Sequence, residues 1–262
     1  MTRKQRRWAP FLAGGLAAVA SAAVVARRRA RSGREANGYA LYATRFHLSH
    51  EALRRNLTRF VDLIDRDAVP SEAESPGLNT EAFGDFVRLY CDFLVQHHEG
   101  EDQVLFPALR RHARLRSTDA ASLDRWTAEH RDIMALGAAL GRAGGRVRAT
   151  GRPALGELRR LAIDLEQLLE PHLVAEEELI NAERLPEMIP AGEVRAIERG
   201  SARLREDGMM MAMFFIHSLS PEEQHQAFGP TPWVFRKIVL PLADRSSYPR
   251  FAPFSVTPEL TL

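Results

Sequence analysis

Four stretches of this chain carry apolar residues at alternating three- and four-residue steps, and each interrupts that seam with a histidine. The step is that of one face of an α-helix, so the pattern predicts four amphipathic helices with imidazoles on their buried faces. The first runs from about Gly38 to Asp65, with Phe46, Leu53, Leu57, Phe60 and Ile64 on its seam. The second starts near Asn79 or Thr80, either of which can cap it. Its seam is Phe83, Val87, Tyr90, Leu94, His97, Glu101, Leu105 and Ala108, and Pro107 should bend it or end its main part. The third starts at Ser117 and Thr118 and carries Leu123, Trp126, His130, Ile133 and Leu140, before "GRAGGRV" weakens it. The fourth opens on Pro153, a favourable first-turn residue, with Leu158, Leu161, Leu165, Leu168, His172, Glu176 and Leu179. No segment of comparable length alternates like a strand. Short connections between helices favour an all-α, antiparallel up-down four-helix bundle over residues 38–189.

The seam histidines are His50, His97, His130 and His172, and two of them are followed four residues later by a carboxylate, Glu101 and Glu176. That spacing puts both groups on one helix face, one turn apart. His50 and His130 lie about 12 residues after the starts of their helices, and His97 and His172 about 10 to 15 before the ends of theirs. In an antiparallel arrangement, at ~1.5 Å rise per residue, all four fall at roughly one height. The sequence thus places a ring of four histidines and two glutamates in an apolar core. Alone, a seam histidine reads as a hydrogen-bonded core residue. Four at one level, with two carboxylates, are most simply satisfied by bound cations. Nitrogen and oxygen ligands without thiolate suit iron or manganese, with zinc as a further option, and two carboxylates can bridge two ions.

The motifs "HEALRRNL", "HHEGEDQVLFPAL", "EHRDIM" and "HLVAEEELI", in this order over about residues 40–185, resemble the hemerythrin-like, or HHE cation-binding, domain. The resemblance implies a four-helix bundle around a non-haem di-iron site whose ligands here are His50, His97, Glu101, His130, His172 and Glu176. Relatives carry or sense dioxygen, handle iron, or respond to oxidants and nitric oxide. Glu177 rivals Glu176, because some relatives use a carboxylate five residues after the histidine; a four-residue step keeps the face, whereas five residues rotate it by about 140°. His98 and Asp102 form a parallel pair about 100° away on the flank. Oxygen carriers of the family have a further histidine where this chain has Trp126, so one ligand is missing unless His47 or His98 moves in. That departure counts against a reversible oxygen carrier. A protein that binds or senses dioxygen, nitric oxide or peroxide is the expected function. A di-iron peroxidase or oxidase, or an iron-sensing or iron-storage module, is the alternative. No catalytic base beyond the metal shell is legible.

Charge is unevenly placed. Nine of the 36 Lys and Arg fall before Glu35, the first acidic residue. The rest is mildly acidic, which argues against a nucleic-acid partner. Between the basic clusters lies "WAPFLAGGLAAVASAAVVA", Trp8 to Ala26, about long enough to span a bilayer. We read residues 1–36 first as a membrane anchor with the soluble domain on the cytoplasmic side. A cleaved signal for export and a weakly apolar surface helix are the rival readings. The lone Cys91 excludes an internal disulfide and reads as a buried hydrophobe. Residues 190–262 are expected to give one helix, about Gly192 to Leu219, then a capping-box start at Ser220 and Glu223, then an irregular Pro-rich tail packing on the bundle. His217 and His225 read as packing or surface residues. No sequence feature points to a protein partner.

Overall fold

The computed structural model describes residues 9–68, 77–112, 117–204 and 208–262, with side chains from Asn37 onward apart from Ser117 and Ser247. Every regular element among the described residues is helical. The long ones are α1 (Ala9–Ala68), α2 (Thr80–Gly100), α4 (Ser117–Thr150) and α5 (Leu155–Leu179). A π-turn, Glu101–Leu105, joins α2 to α3 (Phe106–Arg111). The leader and the first helix were expected as separate elements, but they form one helix. The join is rich in Arg and Ala, which favour helix, and contains no proline. Among the described residues, no helix is long and apolar enough to cross a membrane. The anchor expected at Trp8 to Ala26 falls on residues whose side chains lie outside the description.

The long helices pack side by side, α1 against α2 and α5, and α4 against the same two. Every seam residue of the second helix apart from His97, which is nearly so, is buried, from Phe83 through Leu94 and Glu101 to Ala108. Asn79 provides the cap of α2, its side chain accepting from the Ala82 amide at 3.1 Å. The α-helical main part of this helix ends at Gly100, and a π-turn takes up the change of register before Pro107, which sits in the first turn of α3. The glycines of "GRAGGRV" do not weaken α4, which runs on to Thr150 and stops at Gly151, with φ of +74°. Gly144 is there because α2 and α4 cross closely. A β-carbon on Gly84 would stand 2.4 Å from the Gly144 carbonyl oxygen.

Among the described residues the apolar interior forms two large clusters, with a small third one of Leu48, Leu219 and Ala227 under the C-terminal helices. One cluster includes Leu53, Phe60, Phe86, Leu94, Ile133 and Leu169; the other includes Phe46, Leu105, Phe106, Trp126 and Leu179. The positions between them in each helix are His50, His97 to Glu101, His130 and His172 to Glu176. A single polar layer therefore lies between two dry ones. Cys91 is buried beside the first cluster, and burial pushes its thiol up to about 12.

The C-terminal part differs from expectation. After α6 (Leu185–Met188) come two helices rather than one, α7 (Ala191–Arg203) and α8 (Gly208–His217), the apolar "MMMAMFFIH" run forming its own element. The capping box stands as expected at the start of α9 (Pro221–Phe228). The tail is not wholly irregular: it contains a π-turn at Phe235–Val239 and α10 (Leu240–Ser247). It is drawn onto the first apolar cluster by Phe251 and Phe254, whose rings lie 5.8 and 5.7 Å from that of Phe86. His217 ties it down: the ring stacks on Tyr248 at 4.3 Å, with Nδ1 2.7 Å from the Thr257 carbonyl and Nε2 2.8 Å from Asp244. His225 is exposed.

Two outcomes follow for stability. Gly84→Ala should cost about 1–3 kcal/mol by overpacking the α2–α4 crossing, read as a lower midpoint in denaturant. The second concerns Glu223, which accepts two hydrogen bonds from Arg55 of α1 at 2.5 and 2.8 Å. The Arg55 guanidinium, with the Ser220 amide, holds its carboxyl at about 2, below the ordinary 4.5. A depressed carboxylate stabilises above its unfolded value and ceases to as pH falls through the folded one. Glu223→Gln keeps the capping box but loses the ion pair, which solvent screening limits to about 1 kcal/mol. The melting-temperature gap between wild type and this variant should be present at pH 7 and close between about pH 4.5 and 2.

Candidate metal centre

Seven side chains converge in the polar layer as two groups. His50, His97, Glu101 and Glu176 form one, and His98, His130 and His172 the other; within each, one donor atom per residue lies within 4.8 Å of the others. The carboxylates reach both. Glu101 puts Oε1 3.2 Å from His97 Nε2 and 3.8 Å from His50 Nε2, and Oε2 3.6 Å from His130 Nε2. Glu176 puts Oε2 3.6 Å from His50 Nε2, and Oε1 3.5 and 3.3 Å from Nε2 of His130 and His172. Each carboxylate thus divides its two oxygens between the two imidazole groups.

The outward ring nitrogens are engaged elsewhere. His50 Nδ1 donates to Glu177 at 2.8 Å, His130 Nδ1 to Asp102 at 2.9 Å and His172 Nδ1 to Glu129 at 2.8 Å. Because a carboxylate only accepts, these bonds place the proton on Nδ1 and aim the Nε2 lone pair inward, as histidines that hold metals are commonly arranged. His130 and His172 face each other Nε2 to Nε2 at 3.0 Å. For His97 the neighbour on that side is Ser49 Oγ, at 3.5 Å.

Eight buried atoms here have no hydrogen-bond partner: Nε2 of His50 and His97, both ring nitrogens of His98, and all four carboxylate oxygens of Glu101 and Glu176. At about 1–3 kcal/mol for each unmet group, their sum is comparable to the ~5–15 kcal/mol that holds a domain folded. Something must satisfy them, and inward lone pairs accept cations. Burial, reinforced by neighbouring imidazoles, holds His97 and His98 well below the ordinary imidazole range, so both offer lone pairs at neutral pH. Burial pulls His130 down too, but its hydrogen bond to Asp102 and the nearby Glu176 outweigh it and raise it to about 9. Burial and the charges of Glu176 and Asp102 push Glu101 well up. Burial would also raise Glu176, but the approach of His130 and His172 keeps it below the usual carboxylate range. In the absence of cations, protons are held where the positive charge is needed.

The model of the hemerythrin HHE cation binding domain family matches residues 43–180, more than half of the chain. The chain belongs to this family. No curated protein and no solved structure matches it. Membership makes the HHE domain a cation-binding one, typically for iron, and the donor set of five imidazoles and two carboxylates fits such a group.

Placed in this HHE domain, the six residues expected from the sequence stand together: His50, His97, Glu101, His130, His172 and Glu176. Of the three further candidates, only His98 joins them. Its ring lies 4.4 Å from that of His130 and 5.7 Å from that of His172. His98, from another helix, thus brings an imidazole to the group that lacks one at Trp126. Trp126 is a core residue, its ring 6.0 Å from Phe106. Glu177 and His47 stay outside. Glu177 accepts from His50 and from Arg54, the latter at 2.7 Å, and those hydrogen bonds outweigh burial and hold it at about 2. His47 is half exposed, with Nδ1 3.4 Å from Glu177.

The flank pair is therefore not idle. α2 lies between α1 and α4, and two adjacent histidines about 100° apart serve both sides, His97 toward His50 and His98 toward His130. Asp102, the other flank residue, fixes His130. Glu129 was missed altogether; its position beside His130 in "EHRDIM" is the one signal for it.

His98→Ala should lower the cation content of the purified protein by about one ion per chain, if two are held as in dinuclear carboxylate sites. Asp102→Asn should weaken cation affinity about 10- to 100-fold with helicity unchanged, since it disturbs only the support of a donor. His47→Ala should leave both quantities as they are. Metal analysis with circular dichroism reads all three.

Proposed function

We propose that residues 38–189 form an antiparallel, up-down four-helix bundle of the hemerythrin type that holds a dinuclear non-haem iron centre and binds or senses a small oxidant, dioxygen or nitric oxide. The observation that carries this reading is the division of each carboxylate between the two imidazole groups, with every one of its oxygens otherwise unpartnered. Glu101 and Glu176, whose oxygens reach both imidazole groups, would help hold both ions. His50 and His97 would complete one position, and His98, His130 and His172 the other. Bound iron would supply redox-active ions to which a small ligand can bind. Manganese or zinc in the same donors is the rival occupancy.

The chain's own residues do the rest. Asp102, Glu129 and Glu177 hold the imidazoles in the tautomer that donates inward. Leucine and phenylalanine above and below keep water from the layer. A second reading, a di-iron oxidase or peroxidase, is favoured by one feature: a cavity of about 610 Å³ that reaches His97 and Glu101, the side with fewer imidazoles. Attachment to a membrane through residues 8–26 rests on the leader's composition, and fractionation of the full chain against one beginning at Gly38 tests it.

Purified protein loaded with iron without oxygen should hold about two irons per chain, by the dinuclear analogy. Zinc alone, or no metal at all, would defeat the reading. Exposing the reduced protein to dioxygen or nitric oxide should give a new absorption band that His97→Ala and Glu101→Ala abolish. Sustained turnover of peroxide would favour the enzyme instead.

A further inference from the structure

The cavity beside the polar layer has a volume of about 610 Å³. That is far more than a diatomic ligand requires and falls within the ~300–1,000 Å³ of sites that hold organic molecules. Its floor is His97 and Glu101, whose Nε2 and Oε1 are among the buried atoms without partners. Its walls carry five aromatic rings: Tyr42 and Phe46 of α1, Phe93 of α2, Phe215 of α8 and Phe228 of α9. Three of these five come from the first two helices, but the cavity is closed only by α7, α8 and α9, which follow the matched segment of residues 43–180. Its closure thus depends on residues beyond the matched segment.

The mouth is distinct in charge. Arg195, Glu198, Arg199 and Ala202 stand at i, i+3, i+4 and i+7 on α7, one face of the helix, and all four line the cavity. Arg195 and Arg199 are exposed, which places them at the opening. Glu198 is paired with Arg45, another lining residue, at 3.2 Å. Among the described residues, two arginines therefore remain in excess at the entrance to an aromatic chamber.

We infer that this cavity binds an organic anion with a flat apolar body, an aromatic carboxylate in its simplest form, with the ring system among the phenylalanines and the carboxylate toward Arg195 and Arg199. The inference does not depend on which cation the polar layer holds. A ligand seated there lies between solvent and the two-imidazole side of the centre, so it would control what reaches that side or be the molecule acted on.

The test is calorimetric titration of the full chain with 2-naphthoate and with 2-naphthylmethylammonium, which share a ring system and differ in charge. The naphthoate should bind about ten-fold or more tightly than the cation, a difference set by one or two screened charge contacts. Arg195→Glu with Arg199→Glu, both at exposed positions, should remove that preference. Ala212→Trp, which fills the chamber from α8, should abolish binding of both probes with helicity retained. Metal analysis of each sample separates loss of the cation from loss of the cavity. Equal affinity for the two probes, binding of neither, or binding unchanged by Ala212→Trp would overturn the inference, whatever the cation content.

Discussion

Glu101 and Glu176 bring four carboxylate oxygens into the middle of a helical protein, and no donor among the described residues forms a hydrogen bond with any of them. Charge in such a place is tolerated only where counter-charge is supplied. Most of the architecture around the layer answers that constraint. Every long helix contributes an imidazole to the same level. Three further carboxylates turn those imidazoles inward from behind. Apolar clusters on both sides keep the layer dry, which strengthens each electrostatic contact and raises the cost of any that is left unmet. Membership of a cation-binding family accords with such a layer, because cations satisfy its inward-facing polar groups.

Much of this was legible in the sequence, for two separate physical reasons. Periodicity reports which way a helical side chain faces, and distance from a helix end reports its height. His50, His97, His130 and His172 could be assigned on both counts, and they share one layer. His98 could not be assigned in this way. A seam is drawn as one line down one face, whereas α2 is flanked by α1 and α4 and uses two adjacent faces. Asp102 and Glu129 were obscured for the same reason, since a group that supports a donor sits off the line by necessity. Gly144 misled in the other direction. Glycine lowers helix propensity, but where two backbones cross closely its lack of a side chain decides the matter. The division of the C-terminal segment into α7 and α8 was hidden because an all-apolar run such as "MMMAMFFIH" carries no period.

The two halves of the layer are unequal. His98, His130 and His172 are enclosed by α2, α4 and α5, and two of the three are braced by carboxylates. His97 and Glu101 of the other group line the chamber that the C-terminal helices close. One side of the layer is enclosed by packed helices, whereas the other is approachable through the chamber.

The chain order gives this asymmetry a temporal meaning. Every residue of the layer and its supports, as far as Glu177, precedes the helices that roof the chamber, and the last anchors of that roof, Tyr248 and Thr257, lie near the end of the chain. In a polypeptide made from its amino terminus, the inner donors emerge first and the cover last. The donors of the layer are thus all present in the chain before the helices that close the chamber have been made.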